Sequence, residues 1–300
     1  MVSRGINIST NEERDFALSI LSREGYYNTI NGYKKPFLKT ASPEDVYLEG
    51  TTLKEIYSLY RFDRNLRNVF INAILHIETT LKSLISYHFS EKYGHTNYLL
   101  YSNFDTRQSN AAKNITDLLA EIQRQLANRS SDPSISHYLK KYGYVPLWVL
   151  NNILTLGSIS KFYSLMKQPE RQAVSKFYHI TDQEMTSFLL YISSIRNFCA
   201  HGNRLYCYHT RRTLIDTHLH KILNIPKSDN NEYLYGKRDL YASLIVMKYL
   251  LSNNEFSRLV QDIDREYKKL KINVFPREHI LEIMGFPEDW YSKIRTIKIN

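Results

Sequence analysis

Cysteine, glycine and proline are all scarce in this sequence of 300 residues. The two cysteines, Cys199 and Cys207, cannot form a disulfide framework, so their number favours a reducing compartment. The 10 glycines and 8 prolines are too few for a fibrous or low-complexity chain, and they leave room for long helices. These scarcities predict an ordinary globular protein.

Long apolar runs are also missing. The N-terminal stretch MVSRGINISTNEERDFALS is polar and charged, and it lacks the apolar core of a signal peptide. The nearest approach to a membrane span, around Leu244 to Leu251, is far shorter than the roughly 18 residues that a span needs. We therefore expect a soluble, cytoplasmic protein with no membrane partner.

What the sequence does contain is helical periodicity. From Asp63 to about Phe89, apolar residues recur at spacings of three and four, which is typical of a core helix. Further helices are predicted over 11–21, 111–128, 147–165 with a bend at Gly157, from Thr181 or Asp182 onward, 208–223, 239–251 and 255–270. No segment shows the alternation typical of strands, so the predicted fold class is all-α.

The arrangement of these segments favours one domain. Residues 1–50 are predicted to form an N-terminal cap segment, 51–222 the core helices, and 223–300 a C-terminal helical extension. The polar run RSSDPS around Pro133 is interpreted as a surface loop. There is no internal repeat and no low-complexity tract that would suggest another organisation.

Basic residues outnumber acidic ones by 40 to 30, which gives a formal net charge of +10. This excess favours a polyanionic partner, because basic side chains release the counterions condensed on a phosphate chain. The 24 tyrosines add rings that can stack on unpaired bases as well as pack a core. The charge alone does not separate a nucleic-acid binder from other basic proteins.

Three arginines at spacings of three surround the start of the long helix and fall on neighbouring turns. They are Arg61, Arg64 and Arg67. One interpretation is that they line a groove for phosphate. The other is that they form ion pairs on a solvated face with Asp63, Glu55 and Glu78.

The segment RNFCAH brings together Arg196, Asn197 and His201. Cleaving RNA requires one group that takes the 2′-hydroxyl proton and another that neutralises charge on the phosphate. Histidine, which titrates near neutrality, suits the first task, and the planar fork of arginine suits the second. The alternative is a structural role, in which Asn197 and His201 satisfy each other and cap a neighbouring helix.

If the helix that starts near Thr181 continues through this segment, Asn197, His201 and Arg204 share one face. Arg196 lies about 100° away, so its side chain must curl toward that face, or Gly202 must mark a departure from helical geometry. The opposite face is predicted to be apolar, with Leu189, Ile192, Ile195 and Cys199.

The stretch RNFCAHGNRLY resembles the Arg-Asn-x-x-x-His signature of the HEPN superfamily, whose nuclease members cut RNA without a metal. Three other stretches resemble, in the same order along the chain, blocks of the bacterial Abi-like family, which includes the AbiD and AbiF abortive-infection proteins. These stretches are LYRFDRNLRNVFINAILHIE, PLWVLNNILTLGSISKFYSLM and MGFPEDW. Together the four blocks cover most of the chain.

The resemblance implies an HEPN-like helical bundle with additional N- and C-terminal helices, and a phage-defence role as a growth-arresting toxin. Carried over to this sequence, Arg196 would bind the scissile phosphate, Asn197 would orient the phosphate or the histidine, and His201 would be the acid or base. HEPN nucleases generally build one site from two motifs, and this chain has one. A homodimer is therefore the expected active form, with no metal or other cofactor.

The resemblance also implies RNA as substrate and a structured non-coding RNA as a regulatory partner. The basic residues expected to contact RNA are Arg61, Arg64, Arg67, Lys140, Lys141, Arg204, Arg211, Arg212, Lys268, Lys269 and Lys271. The rival hypothesis is a non-catalytic RNA-binding protein of the same fold, in which the Arg and His hold RNA without cutting it. Zinc is a weaker alternative, since the spacing of Cys199, His201, Cys207 and His209 follows no zinc pattern.

Overall fold

Helices dominate the computed structural model, which describes residues 5–41 and 44–297. The α-helices are α1 Asn11–Glu24, α2 Leu53–Tyr93, α3 Ala111–Asn128, α4 Pro133–Tyr142, α5 Leu147–Leu150, α6 Leu156–Leu165, α7 Gln168–Lys176, α8 Asp182–Ala200, α9 His218–Ile222, α10 Leu240–Leu250, α11 Asn253–Lys268, α12 Glu278–Met284 and α13 Trp290–Thr296. Short 3-10 or π turns cover Tyr27–Asn31, Lys35–Phe37, Asn97–Leu99, Tyr101–Asn103 and Leu205–Cys207. The predicted all-α class is confirmed.

Helix α2 is the central element, with 41 residues. It starts with a capping box, in which Thr52 Oγ1 accepts a hydrogen bond from Glu55 N (3.3 Å) and Glu55 Oε2 accepts one from Thr52 N (3.0 Å). It packs against α7, α8 and α11. The helix begins ten residues before the predicted start at Asp63, because its apolar stripe already includes the buried residues Leu53, Ile56, Leu59 and Phe62.

Helix α8 lies against α2, α6, α7 and α10. Its start agrees with the prediction, because Thr181 Oγ1 accepts from Glu184 N (3.1 Å) and Glu184 Oε2 accepts from Thr181 N (2.9 Å). Helix α10 is apolar on nearly every side and almost wholly buried, as expected for a helix enclosed by others.

The single bent helix predicted over 147–165 is wrong. Two helices, α5 and α6, replace it, and the break lies before α6 rather than at Gly157, which is inside that helix. The buried Asn151 follows α5, and its Nδ2 donates to Lys82 O (3.1 Å) and to Ser86 Oγ (2.6 Å) on α2. These bonds to another helix hold the chain in a turn that local periodicity does not reveal.

The prediction of a helix over 208–223 is also wrong for most of that range. Only α9 is helical there, and the residues before it form an extended connection against the segment that precedes α10. Thr210 N, for example, donates to Arg238 O over 2.9 Å. Several threonines in this connection favour extended backbone, and a neighbouring segment supplies the hydrogen-bond partners.

Three smaller expectations need correction. A two-stranded antiparallel sheet joins β1, Leu38–Thr40, to β2, Val46–Tyr47, although no strand was predicted. The loop predicted around Pro133 is the start of α4, with Asp132 Oδ1 accepting from Ser134 N (2.9 Å) and Pro133 in the first turn. Helix α7 was not predicted at all.

One hydrophobic cluster runs from Ile6 near the N-terminus to Ile294 in α13. The division into cap, core and extension stays a prediction, and residues 1–4, 42–43 and 298–300 of the predicted domain lie outside the described residues. Within the described part of the chain, no helix is both long enough and apolar enough to cross a membrane.

Candidate active site at the end of helix α8

The Arg-Asn-x-x-x-His segment forms the carboxyl end of α8. Asn197 and His201 are exposed, and Arg196 is half-buried. The N–H group of His201 donates to the carbonyl oxygen of Asn197 over 3.1 Å, so these two residues lie on neighbouring turns of one helix face. The segment therefore presents two exposed polar side chains together, with the arginine beside them.

Gly202, directly after the C-cap residue His201, ends helix α8. Its φ is +69°, which favours glycine, and Gly202 N donates to Cys199 O over 3.1 Å. Asn203 N then donates to Phe198 O over 3.2 Å, which completes a Schellman motif. The departure from helical geometry that the sequence left open at Gly202 is observed, and it makes His201 the C-cap residue of α8, directly before the turn.

No hydrogen bond or ion pair engages the side chain of Arg196, Asn197 or His201 within residues 5–41 and 44–297. The structural alternative requires Asn197 and His201 to satisfy each other, and that contact is not made. All three side chains are thus available to an external group. Such availability at a rigid helix end suits a binding or catalytic site.

The apolar face predicted for α8 is confirmed. Leu189, Ile192 and Ile195 are fully buried, and Cys199 is 6% exposed. Because this face packs on α2, α6 and α10, the motif stands on the core rather than on a loop. Positions on such a helix are held more firmly than positions on a loop.

Arg204 does not share the helix face with Asn197 and His201, because the helix ends before it. Its guanidinium instead donates through Nη1 to the carbonyl oxygen of Gly32 over 2.6 Å. The side chain of Arg204 also packs close to Gly32, because a Cβ added to this glycine would lie 3.9 Å from Arg204 Cδ. Arg204 remains exposed, but it ties the segment after the motif to the N-terminal region.

A buried polar network supports the same segment from below. Asp63 on α2 is fully buried; it accepts hydrogen bonds from Tyr33 Oη (2.6 Å) and Tyr206 N (2.6 Å) and forms an ion pair with Arg67. Arg67 also donates to Tyr33 Oη (3.3 Å) and to Asn203 O (3.1 Å). The network therefore fixes the backbone of the residues that follow His201.

Burial raises the pKa of the Asp63 carboxyl to about 6, and the neighbouring Arg67 guanidinium acts in the opposite direction. Burial acts to lower the pKa of Arg67, but the Asp63 charge and the contact with Tyr33 together raise it, so the guanidinium stays protonated. The Asp63 carboxyl contacts Tyr206 N directly, and it reaches the turn after His201 only through Arg67, which donates to Asn203 O.

Sequence reasoning missed this network. Arg67 was expected either in a phosphate groove or in an ion pair on a solvated face; the ion pair with Asp63 is formed, but both residues are buried rather than solvated. One signal was present: Asp63 occupies a position between Leu59 and Leu66 on the apolar stripe, and Arg67 follows it by four. A charged pair at the core stripe of a helix indicates a buried ion pair rather than a solvated one.

The Abi-like protein family matches residues 19–207, which is more than half of the chain and includes Arg196, Asn197 and His201. The chain belongs to the Abi-like family. No curated protein and no solved structure matches it. Membership of the Abi-like family implies a role in abortive infection, the defence in which a cell stops phage multiplication. The MGFPEDW block lies beyond the matched residues.

In the Abi-like chain, the remaining arginines at the start of α2 lie near α1 and α11. Arg64 forms an ion pair with Glu24 (Nη1 to Oε1, 3.4 Å), and Arg61 is exposed. Arg61 also lines a cavity of about 560 Å³ between α1, α2 and α11, together with Lys269 and Lys271. These three cations are therefore brought together, although they are distant in sequence.

The other predicted basic contacts are spread over the surface of the Abi-like chain. Lys268 at the end of α11 and Lys269 directly after it form ion pairs with Asp264 and Glu266 respectively, both at 2.6 Å. Four more are exposed: Lys140, Lys141, Arg211 and Arg212. Whether any of them contacts RNA stays a prediction.

Both cysteines of the Abi-like chain are free, and burial raises the pKa of Cys199 to about 12. Cys199 therefore stays a thiol near neutrality and acts as part of the apolar face. Among the described residues, no three histidines, cysteines or carboxylates converge in a way that could hold a metal ion. Within the part of the chain that the structure describes, Cys199, His201, Cys207 and His209 are therefore not brought together as a set of metal ligands.

Proposed function

We propose that this Abi-like protein is an endoribonuclease toxin, acting without a metal in phage defence, with Arg196, Asn197 and His201 as its catalytic residues. One observation carries the proposal. The Arg-Asn-x-x-x-His segment ends a core helix, and its three side chains have no partner within the described residues. The net charge of +10 supports a polyanionic substrate.

The proposed reaction is an in-line attack of the 2′-hydroxyl on the neighbouring phosphorus. The 2′-oxygen forms a bond to phosphorus as the bond to the 5′-oxygen breaks, which leaves a 2′,3′-cyclic phosphate and a 5′-hydroxyl. A base removes the 2′-hydroxyl proton and an acid gives a proton to the departing 5′-oxygen. The charge that builds on the phosphate is stabilised by the guanidinium of Arg196, and Asn197 orients the phosphate or the imidazole.

One chain supplies one His201, whereas the reaction needs both a base and an acid. We therefore propose that two copies of the chain form one composite site, in which the two His201 imidazoles share these tasks. The end of α8 is accessible to a second copy of the chain, because Asn197 and His201 are exposed. A regulatory RNA that covers the basic surface would hold the toxin inactive, in line with the resemblance described above.

The test is incubation of purified protein with end-labelled RNA in excess chelator. The wild type is expected to leave cyclic phosphate and 5′-hydroxyl ends, and His201→Ala and Arg196→Ala should each lose at least about a hundredfold in rate. His209→Ala is the matched control, since His209 is also exposed but lies outside the motif. Expression of the wild type should stop growth, and expression of His201→Ala should not.

Two results would contradict the proposal. Cleavage that survives in His201→Ala, or that disappears when the chelator is added, would place the chemistry elsewhere. If the dimeric wild type binds RNA tightly, loses affinity as salt is raised and yet cuts no RNA, the result would instead support the non-catalytic RNA-binding function.

A further inference from the structure

Five aromatic rings form a continuous row on the surface, where the end of α4, the following connection and α5 meet the segment that follows α2. We call it the aromatic row; its members in spatial order are Tyr138, Tyr142, Tyr144, His95 and Trp148. The centroids of successive rings are 5.5, 6.1, 5.4 and 5.2 Å apart. The row does not include any residue of the Arg-Asn-x-x-x-His segment.

Three of the rings are far more exposed than aromatic side chains in a core. Tyr142 is 47% exposed, Tyr144 40% and Trp148 48%. Leaving so much aromatic surface in water is unfavourable, so a row of such rings indicates a contact with another molecule. Singly scattered exposed rings would carry no such meaning.

The row is rigid because its backbone is tied down. Leu147 N donates to His95 O over 2.9 Å, and Tyr98 Oη donates to Val145 O over 2.8 Å, so the connection between α4 and α5 is fastened to the end of α2. Gly143, with φ of +75°, allows the chain to turn between the rings on either side of it. Rigid rings lose little conformational entropy on binding.

The segment that carries four of the five rings is positively charged. The stretch HYLKKYGYVPLW, residues 137–148, contains Lys140 and Lys141 and has no acidic residue. Both lysines are exposed, and Lys141 Nζ lies 5.1 Å from the centroid of the Tyr142 ring. A surface that joins ring faces to ammonium groups is complementary to bases joined by phosphates.

We propose that the aromatic row binds single-stranded RNA, with unpaired bases stacked on its rings and phosphates near Lys140 and Lys141. The spacing of its rings suits a segment of about four nucleotides. A base in a duplex keeps its faces stacked on its neighbours, so the row selects unpaired RNA. This inference rests on the proposed function, for which it supplies a substrate-binding site apart from the catalytic residues.

The first experiment measures binding of a labelled single-stranded RNA of about ten nucleotides by fluorescence anisotropy. The protein carries His201→Ala, so that binding is measured whether or not the wild type cuts RNA. Adding Tyr142→Ala together with Trp148→Ala should weaken binding by at least about tenfold, whereas Tyr142→Phe should keep it. Phe177→Ala is the matched control, because Phe177 is a 57% exposed ring outside the row.

A second readout does not depend on affinity. The chain has two tryptophans, and Trp290 is 2% exposed, so stacking of a base is felt by Trp148 alone. Titration with single-stranded RNA should quench part of the tryptophan fluorescence, and a duplex of the same sequence should not. With Trp148→Phe the quenching should vanish while binding persists. Single-stranded DNA of the same sequence tests whether the ribose contributes.

Unchanged RNA affinity in the Tyr142→Ala/Trp148→Ala protein, with its helical circular dichroism intact, would overturn the inference. A change of mass in sedimentation for that variant, with RNA affinity unchanged, would assign the row to contact with a second copy of the chain instead. If the wild type cuts no RNA but binds it in a way that depends on these rings, the proposed function would be refuted and the aromatic row would remain an RNA-binding site.

Discussion

The ion pair between Asp63 and Arg67 allows the sharpest prediction about stability. We expect Asp63→Asn to leave the guanidinium of Arg67, which is 9% exposed, without its carboxylate. Breaking a buried pair by removing one partner costs about 3–5 kcal/mol, because the other charge stays buried. Against a total stability of about 5–15 kcal/mol for a folded domain, that is a large loss.

Removing the arginine instead should cost less at low pH. In Arg67→Met the carboxyl of Asp63 can bind a proton, and its pKa, already raised to about 6 by burial, should rise further. Above pH 6 the wild type has released that proton from its folded state while the variant still holds it. The cost of Arg67→Met should therefore grow as pH rises above 6.

The assay is urea unfolding of the wild type, Asp63→Asn, Arg67→Met and the double variant at pH 5 and pH 8. The double variant should be more stable than the sum of the single losses implies, by about 1–3 kcal/mol, because it removes both charges. Additive losses, or a cost of Arg67→Met that does not change with pH, would refute the assignment of Asp63 and Arg67 as one coupled buried pair.

Three further outcomes are expected. Gly285→Ala should lower the free energy of unfolding in urea by about 3 kcal/mol, because the φ of Gly285 is +77° and a Cβ would lie 2.5 Å from Asp239 Cγ. Gly143→Ala is the control: Gly143 has a similar φ but open space around it, so the loss should be about 1 kcal/mol. Burial raises the pKa of Asp239 to about 6, so between about pH 4 and pH 6 the folded state holds a proton that the unfolded chain has lost. The contribution of Asp239 to stability should therefore fall there by at most about 1.4 kcal/mol per pH unit as pH rises, and Asp239→Asn should make the measured slope less steep by that amount. Gly202→Ala should slow RNA cleavage by about tenfold or more by shifting the turn after His201, and equal rates would contradict that turn's role in positioning the site.

The structure explains the glycine of the MGFPEDW block, which the family resemblance alone does not. Gly285 lies against the carboxyl of Asp239, which caps α10 by accepting from Ala242 N (3.0 Å) and also accepts from Gly236 N (2.7 Å). The glycine allows the segment after α12 to approach this capped end closely. Phe286 and Trp290 then pack edge to face, with ring centroids 5.1 Å apart.

The sequence alone determined the helical class, the start of α8 at Thr181 and the apolar face behind the motif. Each of these depends on local information: a spacing of three and four, or a threonine followed by a glutamate at the third position. The end of α8 at Gly202 was left open by the sequence, because a glycine can either end a helix or lie within one, and the structure decided it.

Tertiary structure alone decided the rest, because the deciding contacts join residues far apart in the chain. Asp63 and Tyr206 are 143 residues apart, yet their hydrogen bond explains why an acidic residue occupies a core stripe. Asn151 interrupts a periodic segment because it bonds to α2, 65 residues away at Ser86. The aromatic row likewise unites His95 with Tyr144 and Trp148, which no spacing in the sequence relates. Local periodicity records which face of a helix is buried, but it does not record what that face meets.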